Sequence, residues 1–263
     1  MDTVQNRCSV AEANPINLLQ LTDLHLPEQP GMLRRGADAE ARFRQALSAI
    51  KSLSADILLL TGDLTHHAPS AYARLADAVG SLPYPACWIP GNHDLPEAMT
   101  AFPDLNRKQV DFQHWRIILL DSTSAPNGIG GGSLAMSELR FLQQQLVTAG
   151  SKHCLVVLHH NPIPVQSAWQ DRISLGNPDA FWRIIEGSSQ VRGVVFGHLH
   201  QRRDEHRGSV RLFCSPATAP QYKAGTETPE EEPDSRLAAP AYSHYRLWPQ
   251  GQIEVSVTHL INA

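Results

Sequence analysis

Short runs of apolar residues alternate with polar loops along most of the chain. Continuous apolar runs of four to six residues are typical of strands buried on both faces, and apolar residues at helical spacing are typical of amphipathic helices. The runs predict strands at residues 17–22, 56–61, 86–89, 115–120, 154–158 and 191–196, and closing antiparallel strands at 210–214, 243–248 and 253–259. Helices are predicted at residues 39–53, 70–79, 137–147 and 179–185. This alternation of strands, loops and helices along the chain predicts an α/β fold.

Clusters of Asp, His and Asn follow several of these strands directly. The clusters are Asp23-Leu-His25, Gly62-Asp63, Gly91-Asn-His-Asp94, His159-His160 and Gly197-His-Leu-His200. In sheets of this kind, ligand sites gather at the carboxyl ends of the strands. We therefore expect the clusters to converge on a common point.

These clusters contain the residue types that bind transition metals. The candidate ligands are Asp23, His25, Asp63, Asn92, His159, His198 and His200. Carboxylate and imidazole together suit Zn, Mn or Fe, and a carboxylate such as Asp63 can bridge two ions. Two ions about 3.5–4 Å apart can clamp both the attacking and the leaving oxygen of a displacement. Asp-x-His or Gly-Asp alone is common by chance, but the five clusters in this order favour a two-metal centre.

Composition narrows the function classes. The chain has 263 residues, 42% of them hydrophobic, so it can bury a core as one domain, residues 1–263. A net charge of −4 without a basic patch argues against nucleic-acid binding. Thirteen histidines exceed background usage. The four cysteines form no CxxC pair, which argues against a zinc knuckle or a disulfide framework; they are Cys8, Cys87, Cys154 and Cys214.

Location and mobility can also be predicted. The N-terminus has no apolar core suited to export, and no segment approaches the roughly 20 apolar residues of a membrane span, so the expected compartment is the cytoplasm. Residues 222–240 are acidic and rich in proline, which predicts a mobile surface loop, and we expect it to lie over or beside the candidate site. The sequence does not indicate an oligomeric state.

The series of clusters resembles the calcineurin-like metallophosphoesterase superfamily over about residues 18–260. The resemblance implies a four-layer α/β/β/α sandwich with a dinuclear site at the carboxyl ends of the strands. It implies that one metal is held by Asp23, His25, Asp63 and His200. The second metal would be held by Asp63, Asn92, His159 and His198, which makes Asp63 the bridge and leaves His160 as a neighbour.

The same resemblance implies catalytic roles for two adjacent residues. His93 corresponds to the family's catalytic histidine, which contacts the phosphate and protonates the leaving oxygen. Asp94 is then expected to orient the His93 imidazole. Substrate contacts are implied for Asn92, His93, His25 and His200. His66 and His67 fit no motif and are expected to be surface or packing residues; the alternative left open is that they line the pocket rim.

Within the superfamily, the chain is most similar to the bacterial class III 3',5'-cyclic AMP phosphodiesterases. The similar segments include Gln20-Leu-Thr-Asp-Leu-His-Leu26, Trp88-Ile-Pro-Gly-Asn-His-Asp94 and Leu158-His-His-Asn-Pro-Ile-Pro164. Asn161 stands where that family also has a third histidine; this bears on substrate fit because no ligand is replaced.

The resemblance implies that a metal-bridging hydroxide attacks cyclic AMP, a small-molecule phosphoester, and that 5'-AMP is formed. Two alternatives stay open. One is a broad-specificity phosphodiesterase or phosphomonoesterase, and the other is a non-catalytic binding module on the same fold.

Overall fold

The apolar runs form two β-sheets that pack face to face in the structure, a computed structural model that describes residues 14–261. The N-terminal segment considered above and Cys8 lie outside the described residues. The strands are β1 (Ile16–Leu21), β2 (Leu33–Arg34), β3 (Ala37–Asp38), β4 (Ile57–Thr61), β5 (Ala86–Ile89), β6 (Gln109–Asp111), β7 (Trp115–Leu119), β8 (His153–Val157), β9 (Val191–Phe196), β10 (Arg203–Arg207), β11 (Val210–Cys214), β12 (Ala241–Leu247) and β13 (Ile253–His259). The helices are α1 (Ala39–Lys51), α2 (Ala71–Gly80), α3 (Pro96–Met99), α4 (Met136–Thr148), α5 (Ala168–Asp171) and α6 (Pro178–Glu186).

The first large sheet has an antiparallel edge on one side only, and the second has antiparallel strands at both edges. The first has the strand order β13-β12-β1-β4-β5, in which β1, β4 and β5 are parallel. The second has the order β10-β11-β9-β8-β7-β6, in which β7, β8, β9 and β11 are parallel. The prediction of antiparallel closing strands is therefore right for β12 and β13 and partly wrong for β11, which pairs parallel with β9 and antiparallel with β10. The polar strand β10 forms the edge of the sheet, and the strand that follows it, β11, lies between β9 and β10.

Side-chain alternation along the central strands divides the core into three layers. In β4, Leu58 and Leu60 pack against the helices α1 and α2, whereas Ile57 and Leu59 face the second sheet. In β8, Val156 packs towards α4 and α6 on the other outer side. Complete burial of such a side chain contributes about 1.5–3 kcal/mol, so a strand that is apolar on both faces is stable only between two layers. The predicted four-layer α/β/β/α sandwich is confirmed.

The described residues include three of the four cysteines and the acidic segment 222–240. Cys87, Cys154 and Cys214 are buried free thiols. Among residues 14–261, no helix combines the length and apolar character that crossing a membrane requires. The segment 222–240 contains a single isolated bridge, between Tyr222 and Glu231, and is otherwise irregular. Its predicted mobility stays a prediction.

Candidate metal centre

The loops after five strands bring all seven candidate ligands to one edge of the sandwich. The first sheet supplies Asp23 and His25 after β1, Asp63 after β4 and Asn92 after β5; the second supplies His159 after β8, and His198 and His200 after β9. The side chains form two compact groups. The ligand atoms within each group lie less than 4.8 Å from one another.

The first group consists of Asp23, His25 and His200. His200 Nε2 lies 3.3 Å from Asp23 Oδ1 and 3.3 Å from His25 Nε2. The other ring nitrogen of His200, Nδ1, is 2.7 Å from the carbonyl oxygen of Pro220. Because a carbonyl only accepts hydrogen bonds, Nδ1 carries the proton and the Nε2 lone pair points into the group.

The second group consists of Asp63, His159 and His198. His159 Nε2 lies 3.5 Å from Asp63 Oδ1 and 3.1 Å from His198 Nδ1. The Oδ1 atom of Asn92 is 3.2 Å from the same His159 nitrogen. The second carboxylate oxygen of Asp63, Oδ2, is 3.6 Å from His25 Nε2 in the first group. Asp63 therefore faces both groups, as a bridging carboxylate must.

The protonation pattern of the second group fits a bound cation. His159 Nδ1 lies 2.9 Å from the Thr61 carbonyl oxygen, and His198 Nε2 lies 2.9 Å from the Ile173 carbonyl oxygen, so these outer nitrogens carry the protons. Burial lowers the pKa of both imidazoles, which favours their neutral forms. Two lone pairs then face each other across 3.1 Å. Metal-binding histidines show this arrangement, with the outer N–H fixed by a carbonyl.

Asp23 is held as an anion beside the first group. Burial acts to raise its pKa, but His200 and His159, with the Thr22 hydroxyl, hold that pKa below its ordinary value. Its Oδ2 accepts hydrogen bonds from Thr22 Oγ1 at 2.7 Å and from the His198 amide at 3.0 Å. Its Oδ1 is buried without a hydrogen-bond donor, although His200 Nε2 is near. A buried acceptor of this kind fits a metal ion as its partner.

The backbone is left-handed at five of the seven candidate ligands. The φ angles are 52° at Asp23, 49° at His25, 51° at Asp63, 71° at His198 and 53° at His200. Such a conformation costs about 1–3 kcal/mol at a residue with a side chain and is concentrated at functional sites. It turns the chain sharply as each strand ends, and this directs the side chains towards one point.

Two motif glycines allow these turns to approach each other. A Cβ atom on Gly91 would overlap the amide and the carboxylate of Asp63. A Cβ atom on Gly197 would overlap the hydroxyl of Thr22 and come close to the Asp23 carboxylate. Each glycine is thus required by the neighbouring ligand loop.

Asp94 connects two of the ligand loops through hydrogen bonds. Asp94 is buried, and its carboxylate accepts hydrogen bonds from the amides of Gly91, Leu64 and Thr65 and from the hydroxyl of Tyr72. These four donors use the four acceptor sites of a carboxylate. Asp94 therefore joins the loop after β4 to the loop after β5, and its expected role in orienting the His93 imidazole stays a prediction. The His93 Nδ1 atom lies 3.2 Å from His67 Nε2.

His160 is fully committed to hydrogen bonds outside the two groups. Its Nδ1 lies 2.8 Å from the hydroxyl of Ser122 and its Nε2 lies 3.2 Å from the carbonyl of Gly130. Burial lowers the pKa of His160 to about 3. A neutral ring with both nitrogens used supports the choice of His159 as the ligand, and the ring packs 4.8 Å from that of His198.

Aromatic and basic side chains border the first group. The ring of Tyr222 lies 5.0 Å from that of His200 and 4.9 Å from that of Trp169. The guanidinium of Arg35 lies 5.2 Å from the centre of the Tyr222 ring. The segment 222–240 thus begins beside the centre. Sequence reasoning missed Trp169 and Arg35, because an isolated aromatic or arginine in a polar loop has no periodic pattern.

His66 and His67 lie on a third side of the centre. The His66 ring is 4.5 Å from that of His93 and 5.8 Å from that of His25. These three histidines form a further group whose ligand atoms lie within 4.8 Å of one another. His67 is exposed, whereas His66 and His93 are half-buried.

Comparison with known proteins gives consistent results. Residues 16–202 match the family model described as calcineurin-like phosphoesterase. The 3',5'-cyclic adenosine monophosphate phosphodiesterase CpdA of Vibrio vulnificus is 32% identical and aligns over 94% of this chain and 91% of its own length. CpdA of Pseudomonas aeruginosa is 33% identical over 92% of this chain and 89% of its own length. A dimetal phosphatase structure from Danio rerio superposes with a TM-score of 0.73 over 95% of this chain and 98% of that one; at 12% identity, it shows the shared fold alone.

Proposed function

The chain belongs to the calcineurin-like phosphoesterase family of metal-dependent hydrolases, and on this premise we propose that it hydrolyses 3',5'-cyclic AMP to 5'-AMP at a two-metal centre. The observation that carries the proposal is the pair of ligand groups with Asp63 facing both. The two relatives named as cyclic AMP phosphodiesterases align over 94% and 92% of this chain, which favours the same substrate here.

The seven side chains described above would hold the two ions. Two divalent ions, Fe, Mn or Zn, would supply Lewis acidity to the phosphate oxygens and lower the pKa of a water molecule. We assign Asp23, His25, Asp63 and His200 to one ion, and Asp63, Asn92, His159 and His198 to the other. The carboxylates of Asp23 and Asp63 would offset part of the positive charge of the two ions, and the neutral histidines would contribute lone pairs without charge.

Asn92 and His93 would contact the substrate directly, and His25 and His200 border the same space. Asn92 turns Oδ1 towards His159, so its amide N–H groups are the atoms that can donate to a phosphate oxygen. The Nδ1 atom of His93 lies 3.2 Å from Nε2 of His67. The Nε2 atom of His93 would donate a proton to the departing ribose oxygen. General-acid assistance of this type contributes a factor of about 10²–10⁴ in rate.

The surface formed by Arg35, Trp169 and Tyr222 favours a nucleotide over a small phosphoester. Tyr222 lies beside His200 and Trp169 lies beside Tyr222, and both residues are half-buried, so each still exposes part of its surface. Trp169 Nε1 donates to Thr226 Oγ1 at 3.1 Å, which fixes the indole. A base stacked on an aromatic side chain gains about 1–3 kcal/mol.

A substrate panel tests this proposal. The purified chain is stripped of metal, reloaded separately with Mn²⁺, Fe²⁺ or Zn²⁺, and assayed on 3',5'-cyclic AMP, a 2',3'-cyclic nucleotide, a glycerophosphodiester and an aryl phosphomonoester. We expect kcat/KM for cyclic AMP to exceed the others by at least about tenfold, the factor that 1.4 kcal/mol of base contact provides. Equal or higher values on the monoester would favour the broad-specificity alternative.

Metal analysis separates the enzyme from a binding module. We expect close to two metal ions per chain after reloading, and Asp63→Asn, which weakens the bridge, should lower that number together with the turnover. Less than one metal per chain, with no activity in any metal, would support the non-catalytic alternative.

Two broader features belong to the same proposal. We propose that the chain acts as one domain, because the two sheets share a continuous core that includes Leu59 and Leu155. We propose a cytoplasmic location, in keeping with the free thiols of Cys87, Cys154 and Cys214. Fractionation of cells that express the tagged chain tests the location.

A further inference from the structure

Two hydrogen-bond contacts join His67 to His93. The side-chain Nε2 of His67 lies 3.2 Å from Nδ1 of His93. The backbone amide of His67 donates to the backbone carbonyl of His93 at 2.9 Å. His67 also has a left-handed backbone, with φ of 54°. The loop after β4 therefore turns back to present one histidine side chain to another.

We propose that His67 is a positioning residue for His93: it accepts a hydrogen bond from the His93 Nδ1–H group and so directs Nε2 towards the leaving oxygen. The proposal rests on the proposed function, in which His93 acts as the general acid. The four acceptor sites of Asp94 are used by Tyr72 and by three backbone amides, which favours His67 over Asp94 for this role.

The direction of the hydrogen bond follows from what the acid must do. Two ring nitrogens 3.2 Å apart need one proton between them. If His93 donates through Nδ1, its Nε2 can carry the second proton, and the Nε2 atom of His67 is the acceptor. In many enzymes the partner of a catalytic histidine fixes its tautomer and ring orientation in this way.

In the proposed step, proton transfer from His93 accompanies cleavage of the ester bond. A water molecule releases a proton to the solvent, the resulting hydroxide forms a bond to phosphorus, and the bond from phosphorus to the ribose 3' oxygen breaks. The proton on His93 Nε2 moves to that oxygen and gives the 3' hydroxyl of the 5'-monophosphate. His93 is left neutral with its Nδ1–H still hydrogen-bonded to His67, and the proton that the attacking water released to the solvent is replaced on Nε2. His67 exchanges no proton with the substrate.

The leaving group provides a readout that a merely structural role would not change. A ribose alkoxide needs a proton as it departs, whereas p-nitrophenolate is a stable anion. A defect in the orientation of the acid should therefore lower turnover of cyclic AMP and leave turnover of bis(p-nitrophenyl) phosphate nearly unchanged. A defect in metal binding or folding should lower both.

The experiment uses the metal-loaded full chain with His67→Ala, His67→Gln, His93→Ala and the double variant. His206→Ala, at an exposed position of β10, is the matched control. We expect His67→Ala to lower kcat for cyclic AMP by about 10–100-fold, the usual effect of losing the partner of a functional histidine. The expected change in kcat for bis(p-nitrophenyl) phosphate is less than about threefold. Its p-nitrophenolate leaving group needs no proton, so the factor of about 10²–10⁴ from general-acid catalysis does not apply to this substrate.

Two further results are expected. His67→Gln retains an acceptor oxygen and should recover part of the loss, and His67→Ala should have no further effect on cyclic AMP turnover in the His93→Ala background. The proposal is overturned by equal losses on the two substrates, by a lowered metal content, or by full additivity in the double variant. If the wild-type chain does not cleave cyclic AMP at all, the proposed function fails; His67 is then tested by the same contrast between alkyl and aryl phosphodiesters.

Discussion

The buried carboxylate of Asp94 lies where two ligand loops meet, and Asp94→Ala tests what it does there. The carboxylate accepts four hydrogen bonds of 2.9–3.0 Å, from the amides of Gly91, Leu64 and Thr65 and from the Tyr72 hydroxyl. Burial raises the pKa of Asp94, and the four donors act in the opposite direction. Removal of the carboxylate would leave three amides without an acceptor in the interior.

The expected loss of stability can be worked from these bonds. Each buried donor that loses its partner costs about 1–3 kcal/mol, and water that enters the vacated space offsets part of the cost. We therefore expect Asp94→Ala to lower the free energy of unfolding by about 3–5 kcal/mol, within the range known for broken buried networks. In a chain of this size 1 kcal/mol shifts the melting temperature by about 2–4 °C, so Tm should fall by about 10 °C.

The assay is thermal and urea unfolding of the metal-free protein, so that metal binding does not enter the comparison. Asp104→Ala, at an exposed position, is the control and should change stability by less than about 0.5 kcal/mol. A loss below about 1 kcal/mol for Asp94→Ala, together with a lowered kcat on cyclic AMP, would refute the reasoning. Such a result would support the orienting role that the sequence predicts for Asp94.

Three other predictions concern the centre and the second sheet. His93→Ala should keep its metals and lose about 10²–10⁴ in turnover of cyclic AMP; metal analysis and steady-state kinetics measure both, and near-wild-type turnover would remove the acid role. Gly197→Ala should lower metal affinity at least about tenfold, because the new Cβ atom overlaps the Thr22 hydroxyl; metal titration measures this, and unchanged affinity would contradict it. The Arg116 guanidinium holds the pKa of Asp111 below its ordinary value. The stabilisation from the ionised Asp111 carboxylate is therefore complete above the unfolded pKa of about 4 and is lost as pH falls towards the folded pKa. Urea unfolding of the metal-free protein should show that Asp111→Asn is less stable than the wild type at pH 7 and that the difference is smaller at pH 3. A difference that does not change with pH would count against the Asp111–Arg116 pair.

The ligand positions could be predicted because two independent patterns coincide in the sequence. Apolar runs such as residues 56–61 and 191–196 locate the central strands, and the residues that follow them, such as Asp63 and His198, have metal-binding side chains. Parallel strands place their carboxyl ends at one edge, so convergence follows from the strand order. The pattern of apolar residues does not indicate the left-handed backbone at these positions, although Asp, Asn and His adopt that conformation more readily than most residues.

The contacts between loops could not be predicted in the same way. Asp94 is next to His93 in sequence, but its partners Leu64, Thr65 and Tyr72 come from another loop and from α2. A carboxylate binds whichever donors the folded chain presents, and spacing along the chain does not reveal them. The strand β10 was missed for a related reason: its sequence, Arg203 to Arg207, is wholly polar because it forms an exposed edge.

The division of the ligands between the two sheets has a thermodynamic consequence. Asp23 and Asp63 follow strands of the first sheet, and His159 and His198 follow strands of the second, so metal ions would fasten the two sheets together at one edge. Their binding energy is then also folding energy. By mass action, free metal at a hundred times its Kd adds about 2.7 kcal/mol of stability. The upward shift of the melting temperature therefore ranks Fe, Mn and Zn by affinity without any substrate.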